Sequence, residues 1–165
     1  MAVTAKLEFG FAVDETLSLS ETNVATEPTI QHKTTEGRIT LNASSTAPAT
    51  KVWSEQITLG SGTHTIDLTS LSRSTLSTVD MTGLKVQAVK IFTATDNTED
   101  TVFTVGASNG YHIFGGSAGK VTMVEGAYLE FYFPEGLADV SSTVKTIDVS
   151  SSDADAIFDI MIVAG

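Results

Sequence analysis

The chain has 165 residues, no cysteine, and a formal charge of −11 at neutral pH. No disulfide framework or thiolate metal site is open to it, and the acidity argues against a nucleic-acid surface, because binding phosphates takes a basic patch. Ser and Thr supply about a quarter of the residues, a composition that suits strands with hydroxyl-covered exposed faces. A chain of this length buries roughly two-thirds of the surface exposed when unfolded, enough for one domain.

At the N-terminal end Leu7, Phe9, Phe11 and Val13 alternate with Lys6, Glu8, Gly10 and Ala12. That spacing predicts a half-buried strand over residues 5–13. The start MAVTAKLEFGFAVDE has neither the cationic opening nor the unbroken apolar run of a secretory signal, and no stretch reaches the roughly 18 apolar residues of a membrane span. A protein made in the cytoplasm, with no membrane partner, is expected. Residues 14–37 are polar with isolated apolar side chains and one proline. They read as a long surface loop with an edge strand, or as an arm that orders against a neighbouring subunit.

Ile39 and Leu41 mark a short strand, followed by a loop NASSTAPAT. Its Asn42-Ala43-Ser44 matches a glycosylation acceptor that has no meaning without a secretory route. Residues 51–59 form the next strand, where Val52 and Trp53 are adjacent large apolar residues. This predicts a bulge or burial on both faces. Trp53 reads as a core or inter-sheet residue rather than a ligand platform, and joins Tyr128, Glu130 and Tyr132 as a candidate interface residue.

After a turn at Gly60–Gly62, Ile66 and Leu68 alternate in another strand. Residues 69–83 fit neither the helical nor the strand period, and are read as a long connection between sheets, with room for one helical turn. The stretch from Leu84 to Phe133 then holds the densest apolar alternation, and the core is expected there. Its strands are 84–92, then VFTV and YHIF flanking GASNG in a hairpin with Asn109 and Gly110 at the positive-φ positions. Residues 121–124 and 128–133 are expected to pair about Glu125 and Gly126. Strands through Ile147 and Val149 and over residues 157–163 close the chain.

Nine or ten short strands with no helix predict an all-β domain, an antiparallel two-sheet β-sandwich over residues 1–165. The long crossovers at 14–37 and 69–83 favour a jelly roll over an immunoglobulin-like arrangement.

The search for chemistry yields rejections. Gly115, Ser117 and Gly119 match the esterase elbow G-x-S-x-G, but a strand pattern follows where a helix is needed, and no histidine comes later. His32, His64 and His112 are too scattered for a zinc site. Asp96, Asn97, Glu99 and Asp100 form the densest oxygen cluster and Asp153, Asp155 and Asp159 a looser one, yet neither has the spacing of a helix-loop-helix calcium site. They read as solvated turns. A paired-carboxylate hydrolase would have to draw on Glu130. Alternation places Glu130 with Tyr128 and Tyr132, opposite Leu129 and Phe131, as a stripe suited to a protein interface, with sugar binding as the alternative. Neither catalytic residues nor a cofactor is expected.

The runs VDMTGLKVQAVKI, TVFTVGASNGYHIFGG, VEGAYLEFYFPEG and TVKTIDVSSSDADAIFDIMIVAG, across residues 50–165, resemble in pattern the small virion structural proteins of tailed bacteriophages. These are decoration or minor structural proteins of heads and tails. The resemblance implies a non-enzymatic β-sandwich that assembles as a symmetric oligomer on a particle. The expectation is a capsid decoration or cement protein, a homotrimer bound to the major capsid or another virion protein and located in the virion, with its acidic surface keeping DNA away. The alternative is a carbohydrate-binding β-sandwich.

Overall fold

The computed structural model describes residues 3–9, 12–16, 29–33, 37–45, 48–73 and 77–165. They fall into two compact units, Ala5–Thr40 and the combination of Met1–Thr4 with Leu41–Gly165. Every regular element among the described residues is a strand.

In the smaller unit β1 (Thr4–Phe9) pairs with β4 (Gly37–Asn42), and β2 (Ala12–Thr16) pairs antiparallel with β3 (Thr29–Lys33). The single strand expected over residues 5–13 is therefore two strands in two different sheets. Apolar alternation runs unbroken across Gly10, so the period carries no sign of the division. Of the segment expected as a loop or arm, residues 14–16 and 29–33 are paired strand, and residues 17–28 and 34–36 lie outside the described residues. Across β1 and β4, Glu8 and Arg38 form an exposed ion pair at 3.2 Å.

The larger unit holds eight strands: β5 (Lys51–Thr58), β6 (Thr63–Asp67), β7 (Val86–Thr93), β8 (Thr101–Val105), β9 (Lys120–Met123), β10 (Tyr128–Tyr132), β11 (Thr146–Ser151) and β12 (Ile157–Ala164). They form two four-stranded antiparallel sheets, ordered β10-β7-β12-β5 and β6-β11-β8-β9. The logic of the order appears when partners are matched from the outside in. First pairs with last, β5 with β12; then β6 with β11, β7 with β10, and β8 with β9. This is one long hairpin rolled up, so that β12 also meets β7 and β11 meets β8. The result is a jelly roll.

Rolling puts most consecutive strands in opposite sheets, and of these eight only β8 and β9 are sequential neighbours that pair. This corrects two local readings. β9 and β10 do not form a hairpin about Glu125 and Gly126: β9 pairs with β8 and β10 with β7. Gly126 does turn the chain, at a φ of 67°, but the turn carries it from one sheet to the other. Nor is YHIF a strand. The partner of β8 is β9, and residues 106–119 connect them. Within that connection Tyr111 and Ile113 are buried at 0% and 3% exposure, filling the core as a plug. Asn109 has the expected positive φ of 58°, whereas Gly110 does not, and instead bridges to Thr146.

The inner faces follow strand alternation. Ile160 and Ile162 on β12, Val89 and Ile91 on β7, Phe103 on β8 and Ile147 and Val149 on β11 are all buried. Phe103 and Phe158 meet edge to face across the sandwich, centroids 5.1 Å apart. A fully buried side chain of this size contributes about 1.5–3 kcal/mol. The bulge foreseen at Val52 and Trp53 is elsewhere. β5 pairs with β12 in unbroken register, while Val163 opposes Ala88 and Ala164 opposes Val86, leaving Gln87 as an extra residue on β7. The bulge resets the alternation, which is why Val86 through Val89 are all buried.

A candidate interface on strand β10

β10 lies at an edge of its sheet, and two backbone bonds fix which way its polar groups point. Thr93 N–H donates to Ala127 O at 3.0 Å and Phe133 N–H donates to Gln87 O at 2.8 Å. Both pairs share the register that sets Leu129 opposite Ile91 and Phe131 opposite Val89. In an antiparallel ladder, bonding alternates along the strand. Leu129 and Phe131 therefore bond to β7, and the N–H and C=O groups of Tyr128, Glu130 and Tyr132 point to the open side. Among the described residues no strand pairs with that side.

The same three residues project from the outer face of the sheet. Tyr128 stands opposite Phe92, Glu130 opposite Lys90, and Tyr132 opposite Ala88. Tyr128 is 54% exposed. Its hydroxyl donates to the Glu130 carboxylate, and the Lys90 ammonium lies 5.0 Å from the centre of its ring, a cation–π distance. Partial desolvation and the acceptor Glu130 push the Tyr128 hydroxyl up to about 12. Next to Lys90 on β12 is Met161, which is 41% exposed.

The inner side of the β10 edge is also unfinished. Leu129, Phe131 and Phe133 pack on the core but stay only partly buried, together with Phe114 and Val121. Phe131 and Phe133 stack with centroids 6.0 Å apart, and Phe114 tilts against Phe131 at 5.9 Å. An aromatic ledge thus runs along the edge strand. Glu125 and Glu135 are exposed just beyond its two ends, with Glu130 between them.

The opposite edge of the sheet is covered. Leu59 N–H donates to Ala156 O, so by the same parity Val52 presents its carbonyl outward. The Arg73 guanidinium donates to it. Trp53 is 3% exposed and its indole N–H donates to Ser72 O at 2.6 Å. Trp53 is thus a core residue, and the surface candidates reduce to the three on β10. Lys90, Phe92 and Met161 complete their face. Alternation could have placed each outward, but nothing in the sequence gives the register that brings them together.

Among the described residues of the larger unit, the other sequence candidates do not converge on a reaction centre. Asp153 joins its cluster to the first one, accepting from Thr98 N at 2.9 Å and Thr98 Oγ1 at 3.0 Å, and from Asp155 N at 3.1 Å. These donors hold its carboxyl below the ordinary value, which is the work of a turn. Asn97 is spent on Ile157. Asp159 accepts from Gln56 on the outer face of the sheet, apart from Asp153. His32 is on β3, His64 on β6 and His112 in the 106–119 connection. Among the described residues no group of three or more His, Asp or Glu side chains gathers around a metal-sized space. Gly115, Ser117 and Gly119 lie in a loop that leads into β9, without the helix an esterase elbow needs.

Comparison with known proteins returned no match: no family model, no curated protein and no solved structure aligns with the chain.

Proposed function

We propose that this is a non-enzymatic structural protein of a virus particle, a decoration or cement protein that assembles as a symmetric oligomer and docks on a capsid or other virion protein through β10. The observation that carries this reading is the joint placement of Tyr128, Glu130 and Tyr132, whose side chains share one exposed face while their backbone groups face a sheet edge with which no described strand pairs. Tyrosine contributes large contact area at small entropic cost, and it is enriched where proteins meet. The charge of −11 supports a surface that faces solvent on a large assembly and keeps particles apart.

Light scattering on the purified protein tests the assembly part. A trimer or larger ring is expected, and a concentration-independent monomer would overturn it. Replacing Tyr128 and Tyr132 with Ala should abolish co-sedimentation with particles while leaving Trp53 fluorescence unchanged.

One observation favours a second reading. Tyr128 and Phe92 stand side by side on a sheet face, and such a pair can stack on a sugar ring. The Lys90 ammonium already occupies a face of the Tyr128 ring, which weighs against it. A glycan array separates the two, since a decoration protein shows no saccharide dependence.

A further inference from the structure

The β10 edge combines three features that together describe what would fit there. The outward groups of Tyr128, Glu130 and Tyr132 make a row of donors and acceptors in strand geometry, which another extended chain can complete. The half-buried ledge of Phe114, Leu129, Phe131 and Phe133 lies on the inner side of the same strand, where the edge of a sandwich normally closes over its core. Glu125, Glu130 and Glu135 make the edge acidic along its length.

We propose that the β10 edge accepts an extended segment of a partner protein as an added strand, with a Lys or Arg opposite Glu130 and apolar residues on either side of it. The alternation of a strand dictates this pattern. A basic side chain facing Glu130 lies on the outer face, so its two neighbours point to the inner side, where they cover Leu129 and Phe131 and the ledge around them. A second copy of this chain suits the edge less well. Two-fold pairing centred on Glu130 is the register that uses all six outward groups, and it sets Glu130 against its own counterpart in a molecule that already carries a charge of −11. The proposal rests on the reading of β10 as a docking surface and specifies what docks.

The test uses a short synthetic peptide of alternating Thr and Val with one central Lys between two Val, and a matched peptide with Glu in place of Lys. Amide hydrogen exchange is followed residue by residue. In the free protein the amides of Tyr128, Glu130 and Tyr132 should exchange quickly and those of Leu129 and Phe131 slowly, as the pairing with β7 dictates. Saturation with the Lys peptide should slow the first set by about tenfold or more and leave the second unchanged. The Glu peptide should bind about fivefold more weakly, the size of one partly exposed ion pair. Glu130→Pro removes an outward N–H that β7 does not use, so the fold tolerates it while peptide binding is lost. Glu130→Lys, which keeps that N–H, should reverse the preference between the peptides.

Unchanged exchange at Tyr128, Glu130 and Tyr132 with peptide present, equal binding of both peptides, or full binding by Glu130→Pro would each overturn the proposal. So would protection of the same amides on raising protein concentration alone, which would make the occupant a second copy. A protein that forms the expected oligomer but ignores the peptide overturns strand addition and leaves the assembly reading intact. A monomer that binds the Lys peptide does the reverse.

Discussion

Asn97 brackets Ile157 from both sides: its Oδ1 accepts from Ile157 N–H at 2.8 Å and its Nδ2 donates to Ile157 O at 2.9 Å. One amide side chain thus imitates a strand partner at the first residue of β12, tying the loop after β7 to the strand central to the sheet. Asn97 is 8% exposed, so its loss leaves polar groups short of water. Asn97→Ala should cost about 1–3 kcal/mol, measured by urea denaturation with Trp53 fluorescence as the probe. Asn97→Asp has a signature of its own. The ionised carboxylate cannot donate to Ile157 O, whereas the protonated form can. The deficit of this variant relative to the parent should therefore shrink as pH falls from 7 towards about 3.5, through the range in which the introduced carboxyl takes up its proton. An equal deficit at both pH values would mean that the donor contact contributes nothing.

Tyr111 fastens the plug between β8 and β9. Its hydroxyl donates to Ala138 O at 2.6 Å and accepts from Val86 N–H at 3.2 Å, joining the 106–119 connection to the start of β7. Burial, partly offset by the Val86 bond, pushes this hydroxyl up to about 12, so it stays protonated through the neutral range. Tyr111→Phe keeps the ring and removes both bonds. A loss of about 1–3 kcal/mol is expected, the cost of unpaired buried groups. Tyr111→Ala adds a cavity and should cost about 3–5 kcal/mol. If the two variants were equally stable, the ring would contribute nothing and the plug would not be part of the core.

Strands were legible here and their partners were not. In β10 the alternation of Leu129 and Phe131 with Tyr128, Glu130 and Tyr132 is plain in the sequence and holds in the fold. Pairing is a property of the whole roll: the partner of β5 is β12, roughly a hundred residues away, and no local signal names it. Glu125 and Gly126 look like a hairpin turn because a turn is what they make, but a turn does not say whether the strands it joins share a sheet. Tyr111 to Phe114 has strand-like composition because buried aromatic residues serve a plug as well as a ladder. The jelly roll itself could be anticipated from the long connection at 69–83. The edge at β10 could not, since it depends on a hydrogen-bond parity that only the register reveals.

Lys145 and Asp67 make a half-buried ion pair at 2.6 Å that joins the entry of β11 to the end of β6. Desolvation opposes ionisation of Asp67, but the Lys145 ammonium and the two Thr69 donors outweigh it and hold the carboxyl below its ordinary value of 3.8. The folded pKa is depressed, so the stability contributed by this pair is complete above the unfolded value and is lost as pH falls through the folded one. Lys145→Met should cost about 1 kcal/mol at neutral pH, the upper range for a partly exposed pair. The gap to the parent should close as pH falls below the ordinary carboxylate range and Asp67 protonates. Thermal unfolding of both proteins between pH 2 and pH 7 checks this. A gap that widened on acidification would show that Lys145 acts through packing of its stem instead.

Arg73 guards the β5 edge, opposite the one that β10 leaves open in the same sheet. Its guanidinium donates to Val52 O, and Lys51 Nζ donates to Asp80 O nearby, so Arg73 and Asp80 both lie against β5. Capping an edge carbonyl with a cation is one way a sandwich avoids pairing with its neighbours. Arg73→Ala should lower stability only slightly, by about 1 kcal/mol for one charge-assisted bond. Its larger effect should be on association. With the edge uncovered and salt added to screen the charge of −11, the variant should form higher-mass species that the parent does not. Light scattering over time at two salt concentrations reads this directly. If mass did not grow in salt, edge protection at β5 would have to come from the twist of the strand or from other parts of the chain, and Arg73 would be a stabilising contact only.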